Sequence, residues 1–136
     1  MSSVKEAVFT DKSPAPLPQF SQAVKYGGMV YCSGSIGKTV SSPTLVPGGI
    51  QPEARQAIKN LQAVLEAAGS SLENIVKVNV FLSTMDNFAA FNEVYDEFFG
   101  AMDPKPCRTC VAVYQLPMGA KMEMEATAFL NSGSKL

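Results

Sequence analysis

The pattern that decides the fold lies in residues 75–114, IVKVNVFLSTMDNFAAFNEVYDEFFGAMDPKPCRTCVAVY. The β-branched run at 75–83 predicts a strand with one side on a core. Asp86 is the expected N-cap of a helix over about 87–99, and a second apolar run at 107–114 predicts another strand. This order favours a parallel pairing of the two strands across the helix. The helix carries a stripe of aromatic residues that we expect in the core: Phe88, Phe91, Tyr95, Phe98 and Phe99.

Shorter segments on either side of this unit add strands to the sheet. Residues 4–9 predict a short strand, and residues 21–26 and 29–34 flank Gly27-Gly28, which is a strong hairpin signal. Residues 122–130 predict the last strand. The strand–helix order is therefore ββ(β)αβαββ, in which the hairpins contribute antiparallel pairs.

The clearest single element is an amphipathic helix over about 51–68. Apolar residues recur there at helical spacing, Pro52 lies in the first turn and Gly69 provides the stop. The residues expected on the solvent side of this helix are Glu53, Arg55, Lys59 and Glu66.

Two helices can cover only one face of such a sheet, so the fold class is α+β with a face left over. The last strand alternates Met122, Met124 and Ala126 with Glu123 and Glu125, and only one of these sets can lie on the helices. Several strand faces are too apolar for water. We therefore expect the exposed face to pack against copies of the chain.

Composition excludes several classes of function. The chain has 136 residues, 46% of them hydrophobic, which suits one domain over residues 1–136. A net charge of −1 argues against nucleic acid as a partner, and the absence of histidine excludes Ser-His-Asp and Cys-His catalysis. No presequence pattern or membrane-length apolar run is evident, so we expect a cytoplasmic protein with no membrane partner. A mitochondrial location stays open.

Cys107-Arg-Thr-Cys110 has the spacing of redox and zinc motifs. On a strand, however, residues three apart point to opposite faces and lie roughly 10 Å apart, beyond disulfide reach. A zinc site needs four ligands, which three cysteines without histidine do not supply. We therefore expect two small buried thiols and no metal.

Arg108 begins an otherwise apolar strand, where its guanidinium needs a partner. Cys110 shares its face and Ala112 follows, so small side chains leave room in front of it. The residues alone favour an ion pair to Glu123 or Glu125. The alternative is a bidentate clamp for a small carboxylate ligand, which suits arginine better than lysine.

Other polar residues each allow two interpretations. Glu123 and Glu125 share one strand face, and one of them beside Arg108 would position or deprotonate a water molecule; otherwise the face is simply solvated. Ser33 either donates to a ligand or caps a turn. Asn92, next to the aromatic stripe, is either a ligand contact or a surface residue.

Several motifs together indicate a known family. The string PCRTCVAVYQLPMGAKMEMEA at 106–126 combines an R-x-C pair, a strand, a Leu-Pro turn and the pattern [LIVM]-E-[MI]-E-A. CSG at 32–34, the helix and strand at 56–82 and FNEVYDEFF at 91–99 stand in the matching order. Over about residues 7–130 the chain resembles the YjgF/RidA family (reactive-intermediate deaminase A, also called L-PSP endoribonuclease).

The resemblance implies a chorismate-mutase-like fold with a mixed sheet of about six strands, assembled as a homotrimer with its sheets facing inward. It also implies clefts between subunits. The implied activity is hydrolysis of reactive 2-imino acids and enamines, such as 2-iminobutanoate and 2-iminopropanoate, to 2-oxo acids and ammonia. No cofactor is implied, and the ligand is a small 2-imino or 2-oxo acid.

The resemblance also assigns roles to individual residues. Arg108 matches the arginine that binds the substrate carboxylate, and Glu123 matches the acid that orients the attacking water. Ser35 stands where the family usually has glutamine, and Cys107 where it has alanine. The substrate-binding positions that it implies are Ser33, Gly34, Asn92, Cys110 and Phe20, the last replacing the usual tyrosine.

Two other functions stay open from the sequence. One is a non-catalytic module that binds a small carboxylate at Arg108 or a protein on the trimer surface. The other is an RNA-cleaving translation inhibitor, which the charge and the absence of histidine make the least favoured.

Overall fold

The computed structural model describes residues 4–132 as a six-stranded mixed sheet with two helices. Residues 1–3 and 133–136, the ends of the predicted 1–136 domain, lie outside the described residues. The strands are β1 (Glu6–Val8), β2 (Ala23–Tyr26), β3 (Met29–Cys32), β4 (Ile75–Leu82), β5 (Cys107–Ala112) and β6 (Met122–Phe129). The helices are α1 (Ile50–Ala68) and α2 (Phe88–Phe99). The predicted α+β class is confirmed.

The sheet has the strand order β1-β2-β3-β6-β4-β5. β2 and β3 pair in antiparallel fashion around Gly27 and Gly28, whose φ angles of 62° and 82° lie in the left-handed region that glycine adopts without strain. β4 and β5 pair in parallel, with Val78 opposite Arg108. The hairpin and the parallel pairing are therefore both confirmed.

α1 packs its apolar face on the sheet and ends at Gly69, which adopts a left-handed φ of 86°. The prediction that Glu53 faces solvent is wrong, because only 4% of its surface is exposed. Its Oε1 accepts the backbone N–H of Lys121 at 2.9 Å, immediately before β6. A buried carboxylate is retained here because it pairs with a backbone donor.

α2 begins at Phe88 with Asn87 as its N-cap, so the predicted capping role of Asp86 is wrong. Asp86 lies in a short turn, where its backbone N–H bonds to Oγ1 of Thr84 at 3.1 Å. The aromatic stripe is buried at Phe91, Tyr95 and Phe99. Phe88 departs from the expected core position and is 36% exposed.

The register assigns the two faces of the sheet. The helix-covered face contains the buried residues Val78, Val80, Leu82, Met122, Met124, Ala126 and Ala128. The opposite face, called the outer face below, includes side chains that are 41–48% exposed: Tyr26, Tyr31, Val111 and Phe129. Packing of this face against other copies stays a prediction. Within residues 4–132 no helix has both the length and the apolar character for a membrane span.

Candidate functional site

Arg108 lies on the edge strand β5 and faces α2, because its neighbour across the ladder, Val78, belongs to the helix-covered face. Its Nη1 donates to Oδ1 of Asn92 at 2.9 Å. Its guanidinium carbon lies 4.7 Å from the ring centre of Tyr95 and 5.7 Å from that of Phe88. We call this group of four residues the arginine cradle. Two aromatic rings and one amide oxygen fix the cation in place.

The favoured interpretation of Arg108, an ion pair with Glu123 or Glu125, is wrong. Among residues 4–132, its guanidinium takes part in no ion pair. The register explains this result, because Glu123 is opposite Phe81 and Glu125 is opposite Asn79, both on the outer face. A guanidinium has five N–H donors, and Asn92 takes only one. The remaining donors are available to a ligand.

Glu123 borders a cavity of about 450 Å³ beyond the end of β3. Its carboxylate lies directly over Gly34, where any Cβ atom would overlap Oε2. Glycine is therefore required for this close approach. Phe20 and Ser33 also line the cavity, and the Ser33 hydroxyl donates to the carbonyl of Ser21 at 2.6 Å.

Burial raises the pKa of the Glu123 carboxyl, and the neighbouring negative charge of Glu125 raises it further. Glu125 itself accepts a hydrogen bond from Nδ2 of Asn79 at 3.0 Å. Among the described residues, Glu123 receives no side-chain hydrogen bond of this kind. A carboxylate in this situation favours a proton more than an ordinary glutamate does.

Cys107 and Cys110 point to opposite faces of β5, as the strand geometry predicts, and both are free thiols. The expectation that both are buried is wrong, since Cys107 is exposed on an edge strand and Cys110 is half-buried beside Arg108. Burial raises the pKa of Cys110, an effect that Arg108 partly offsets. In the described part of the chain no cluster of residues suits a metal ion.

The predicted site residues fall into two separate groups. Arg108, Asn92 and Cys110 lie at the β5 edge on the helix-covered face, whereas Phe20, Ser33, Gly34 and Glu123 lie at the cavity. Two strand spacings of ~4.8 Å and three residues of ~3.3 Å rise place the Cα atoms of Arg108 and Glu123 about 14 Å apart. Their side chains also start from opposite faces of the sheet.

Sequence reasoning missed two members of the cradle and two residues at the cavity rim. Phe88, Asn92 and Tyr95 are spaced by four and three residues, so they share one face of α2, but this spacing does not separate them from the core residues Phe91 and Phe99. Leu17 and Met118 lie in loops, where no periodicity marks them.

Comparison with known proteins decides the family. Residues 10–130 match the family described as Endoribonuclease L-PSP. The chain belongs to the Endoribonuclease L-PSP family. Among its relatives, a RutC family protein of Pyrococcus abyssi is 42% identical to this L-PSP chain over 125 residues, covering 92% of this chain and 97% of the relative.

A second relative of the L-PSP chain, from Dermatophagoides farinae, is named 2-iminobutanoate/2-iminopropanoate deaminase. It is 42% identical over 124 residues, covering 91% of this chain and 95% of the relative. The crystal structure of yeast Mmf1 matches with a TM-score of 0.89 at 41% identity, covering 94% of this chain and 100% of the other. The resemblance to the YjgF/RidA family is confirmed.

Proposed function

We propose that this protein hydrolyses reactive 2-imino acids, such as 2-iminobutanoate and 2-iminopropanoate, to 2-oxo acids and ammonia without a cofactor. The observation that carries this proposal is the arginine cradle, in which Arg108 keeps free donors at a sheet edge and has no carboxylate partner among residues 4–132. The relative named as such a deaminase supports the substrate class.

The first task of the site is to hold the substrate carboxylate. The planar guanidinium of Arg108 matches a carboxylate with two parallel N–H···O bonds. Asn92, Phe88 and Tyr95 restrict its orientation before the ligand arrives, which lowers the entropy lost on binding. A fixed carboxylate in turn fixes the adjacent imine carbon.

The second task is to deliver water to that carbon. The Glu123 carboxylate accepts one proton of the attacking water while the water oxygen bonds to the imine carbon, and the C=N bond becomes a single bond. Protonated Glu123 then gives this proton to the nitrogen, which yields the neutral carbinolamine. Glu123 next takes the proton of the carbinolamine hydroxyl and passes it to the same nitrogen as the C–N bond breaks. The C–O bond becomes a double bond, ammonia leaves, the 2-oxo acid forms and Glu123 is again ionised. The raised pKa of Glu123 suits these proton transfers.

We propose further that each site combines two copies of the chain. A four-carbon acid does not span about 14 Å across a sheet. Arg108 of one copy and Glu123 of another therefore serve the same substrate, in a homotrimer assembled through the outer face. The half-exposed Tyr31, Phe129 and Val111 give that face the apolar character of an interface.

The contact between Arg108 and the Tyr95 ring predicts the effect of replacing Tyr95. Replacing it by leucine removes the π-face under the guanidinium but keeps an apolar side chain, and we expect KM to rise about three- to tenfold with a smaller change in kcat. Tyr95→Phe keeps the ring and should stay close to the parent protein. Steady-state kinetics of both variants measure the two KM values. Equal values would show that the cation–π contact with Arg108 does not contribute to substrate binding.

The proposal is tested by generating 2-iminobutanoate with an amino-acid dehydratase and following its decay with and without the protein. Faster release of 2-oxobutanoate and ammonia is the expected result. Unchanged decay together with tight binding of 2-oxobutanoate would instead establish a carboxylate-binding module. RNA cleavage that persists in Arg108→Ala, after rigorous removal of contaminating nucleases, would point to the third function.

A further inference from the structure

The cavity beside Glu123 is larger than a three- or four-carbon acid requires. Its volume of about 450 Å³ lies in the range of ~300–1,000 Å³ that is typical of sites for much larger ligands. Its rim and floor are built from apolar side chains. The rim residues Leu17, Phe20 and Met118 are each about half exposed or more, and the floor residues are Ile36, Leu61 and Val64.

Most of the polar side chains that line this cavity already form hydrogen bonds within the protein. The Gln22 amide donates to the carbonyls of Thr10 and Pro14, and the Asn60 amide donates to those of Ile36 and Lys38.

Three further polar groups of the lining are occupied in the same way. The hydroxyls of Ser33 and Ser35 donate to the carbonyls of Ser21 and Ala57, and Nζ of Lys38 donates to the carbonyl of Thr39. Among the described residues of the lining, the Glu123 carboxylate and the Ser13 hydroxyl have no side-chain hydrogen bond, and the Lys38 ammonium uses one of its three N–H donors. Most of the remaining cavity surface is apolar.

We infer that the cavity receives the side chain of the substrate and selects 2-imino acids with bulky apolar side chains, with Met118 and Leu17 as specificity-determining residues. The inference rests on the proposed function, because it requires the imine carbon at Glu123. That carbon carries three groups: the carboxylate, the nitrogen and the side chain. With the carboxylate held by Arg108 of another copy, the side chain is the group that remains to enter the cavity.

An apolar side chain there replaces water against Leu61 and Val64 and gains from its burial. A polar side chain of the same size loses its hydration and finds most of the polar side chains around it already hydrogen-bonded within the protein. The discrimination against it is therefore expected to be at least about tenfold, the usual scale for an unpaired buried polar group.

The test compares two substrates of nearly equal shape, the imines derived from leucine and from asparagine, each generated by an amino-acid oxidase. We expect kcat/KM for the leucine-derived imine to exceed that for the asparagine-derived imine by about tenfold or more, and also to exceed that for the alanine-derived imine. Equal values for the leucine and asparagine imines would overturn the inference while leaving the proposed function intact.

Met118→Lys tests the rim directly, since lysine is also unbranched and adds no further strain at the left-handed backbone φ of 61° that methionine already adopts. It should lower the leucine-to-asparagine ratio about fivefold, whereas Met85→Lys, an equally exposed methionine outside the cavity lining, should leave the ratio unchanged. Leu17→Gln is a second variant in case the first does not fold. An unchanged ratio in a folded rim variant would refute the role of the rim.

Absence of activity with every imine, the alanine-derived one included, would overturn the proposed function rather than the choice of side chain. The cavity is then tested by calorimetry with the corresponding 2-oxo acids, 4-methyl-2-oxopentanoate and 2-oxosuccinamate. Tighter binding of the first supports the apolar selection, and equal binding refutes it.

Discussion

Replacement of Arg108 by alanine is expected to lower kcat/KM for 2-iminobutanoate by at least about 100-fold. Two charge-assisted hydrogen bonds to the carboxylate contribute about 1.5–3 kcal/mol each, and alanine removes both. The fold should persist, because the side chain lies at an edge strand and forms no ion pair within residues 4–132. Steady-state kinetics measures the loss, and circular dichroism checks the fold.

Two control variants separate the guanidinium's geometry from its charge. Arg108→Lys keeps the positive charge but loses the planar fork, so it should recover only part of the activity. Arg55→Ala removes the other arginine of the chain, which forms an exposed ion pair with Glu97 at 2.8 Å between the two helices. That variant should stay close to the parent in activity. A comparable loss in Arg55→Ala would show that charge removal in general causes the defect.

Glu123→Gln is expected to lower kcat by about 100-fold or more, which is the usual contribution of a positioned general base. Glutamine has the same size and keeps the contact over Gly34, but it accepts no proton from water. KM should change much less, since the carboxylate of the substrate is bound elsewhere. A large rise in KM with an unchanged kcat would assign Glu123 to binding instead.

The raised pKa of Glu123 also predicts the pH dependence. The group acts as a base only when ionised, so activity falls as the pH drops through its pKa. Because burial and Glu125 raise that pKa, the acidic limb of kcat/KM should lie above the ordinary glutamate range. Glu125→Gln removes the neighbouring charge and should move the limb to lower pH. A limb that does not move would show that another group titrates.

The elements of the fold were predictable because each has a local signal. The periodicity of α1 and the β-branched run of β4 require no knowledge of distant residues. The solvent-facing prediction for Glu53 failed because its partner, the N–H of Lys121, is 68 positions away in the sequence. Capping and burial of single polar groups depend on such tertiary contacts.

The relation between Arg108 and the glutamates could not be derived locally. The two strands that carry them are not neighbours, and β4 lies between them with a register shift between Ile75 and Lys77. A change of one residue in register would exchange the faces, so the face of each charge follows from pairing rather than from sequence alternation. The cavity is built largely from loops, which carry no periodic pattern.

The cradle illustrates a limit of hydrophobic patterns. Phe88 and Tyr95 belong to the same aromatic stripe as the core residues Phe91 and Phe99. Spacing alone does not separate a ring that fills the core from one that supports a cation. Phe88 and Tyr95 differ from the other rings because they contact the guanidinium of Arg108, which lies on β5, a strand that follows the helix in the chain.

The two-copy site is tested most directly by mixing Arg108→Ala with Glu123→Gln, each nearly inactive alone, after unfolding and joint refolding. If one copy supplies the arginine and another the glutamate, an equal mixture should regain about a quarter of the parent activity per site, since each chain contributes its intact group with a probability of about one half. Mixed assemblies, verified by native mass spectrometry, that stay as inactive as the separate variants would contradict the account.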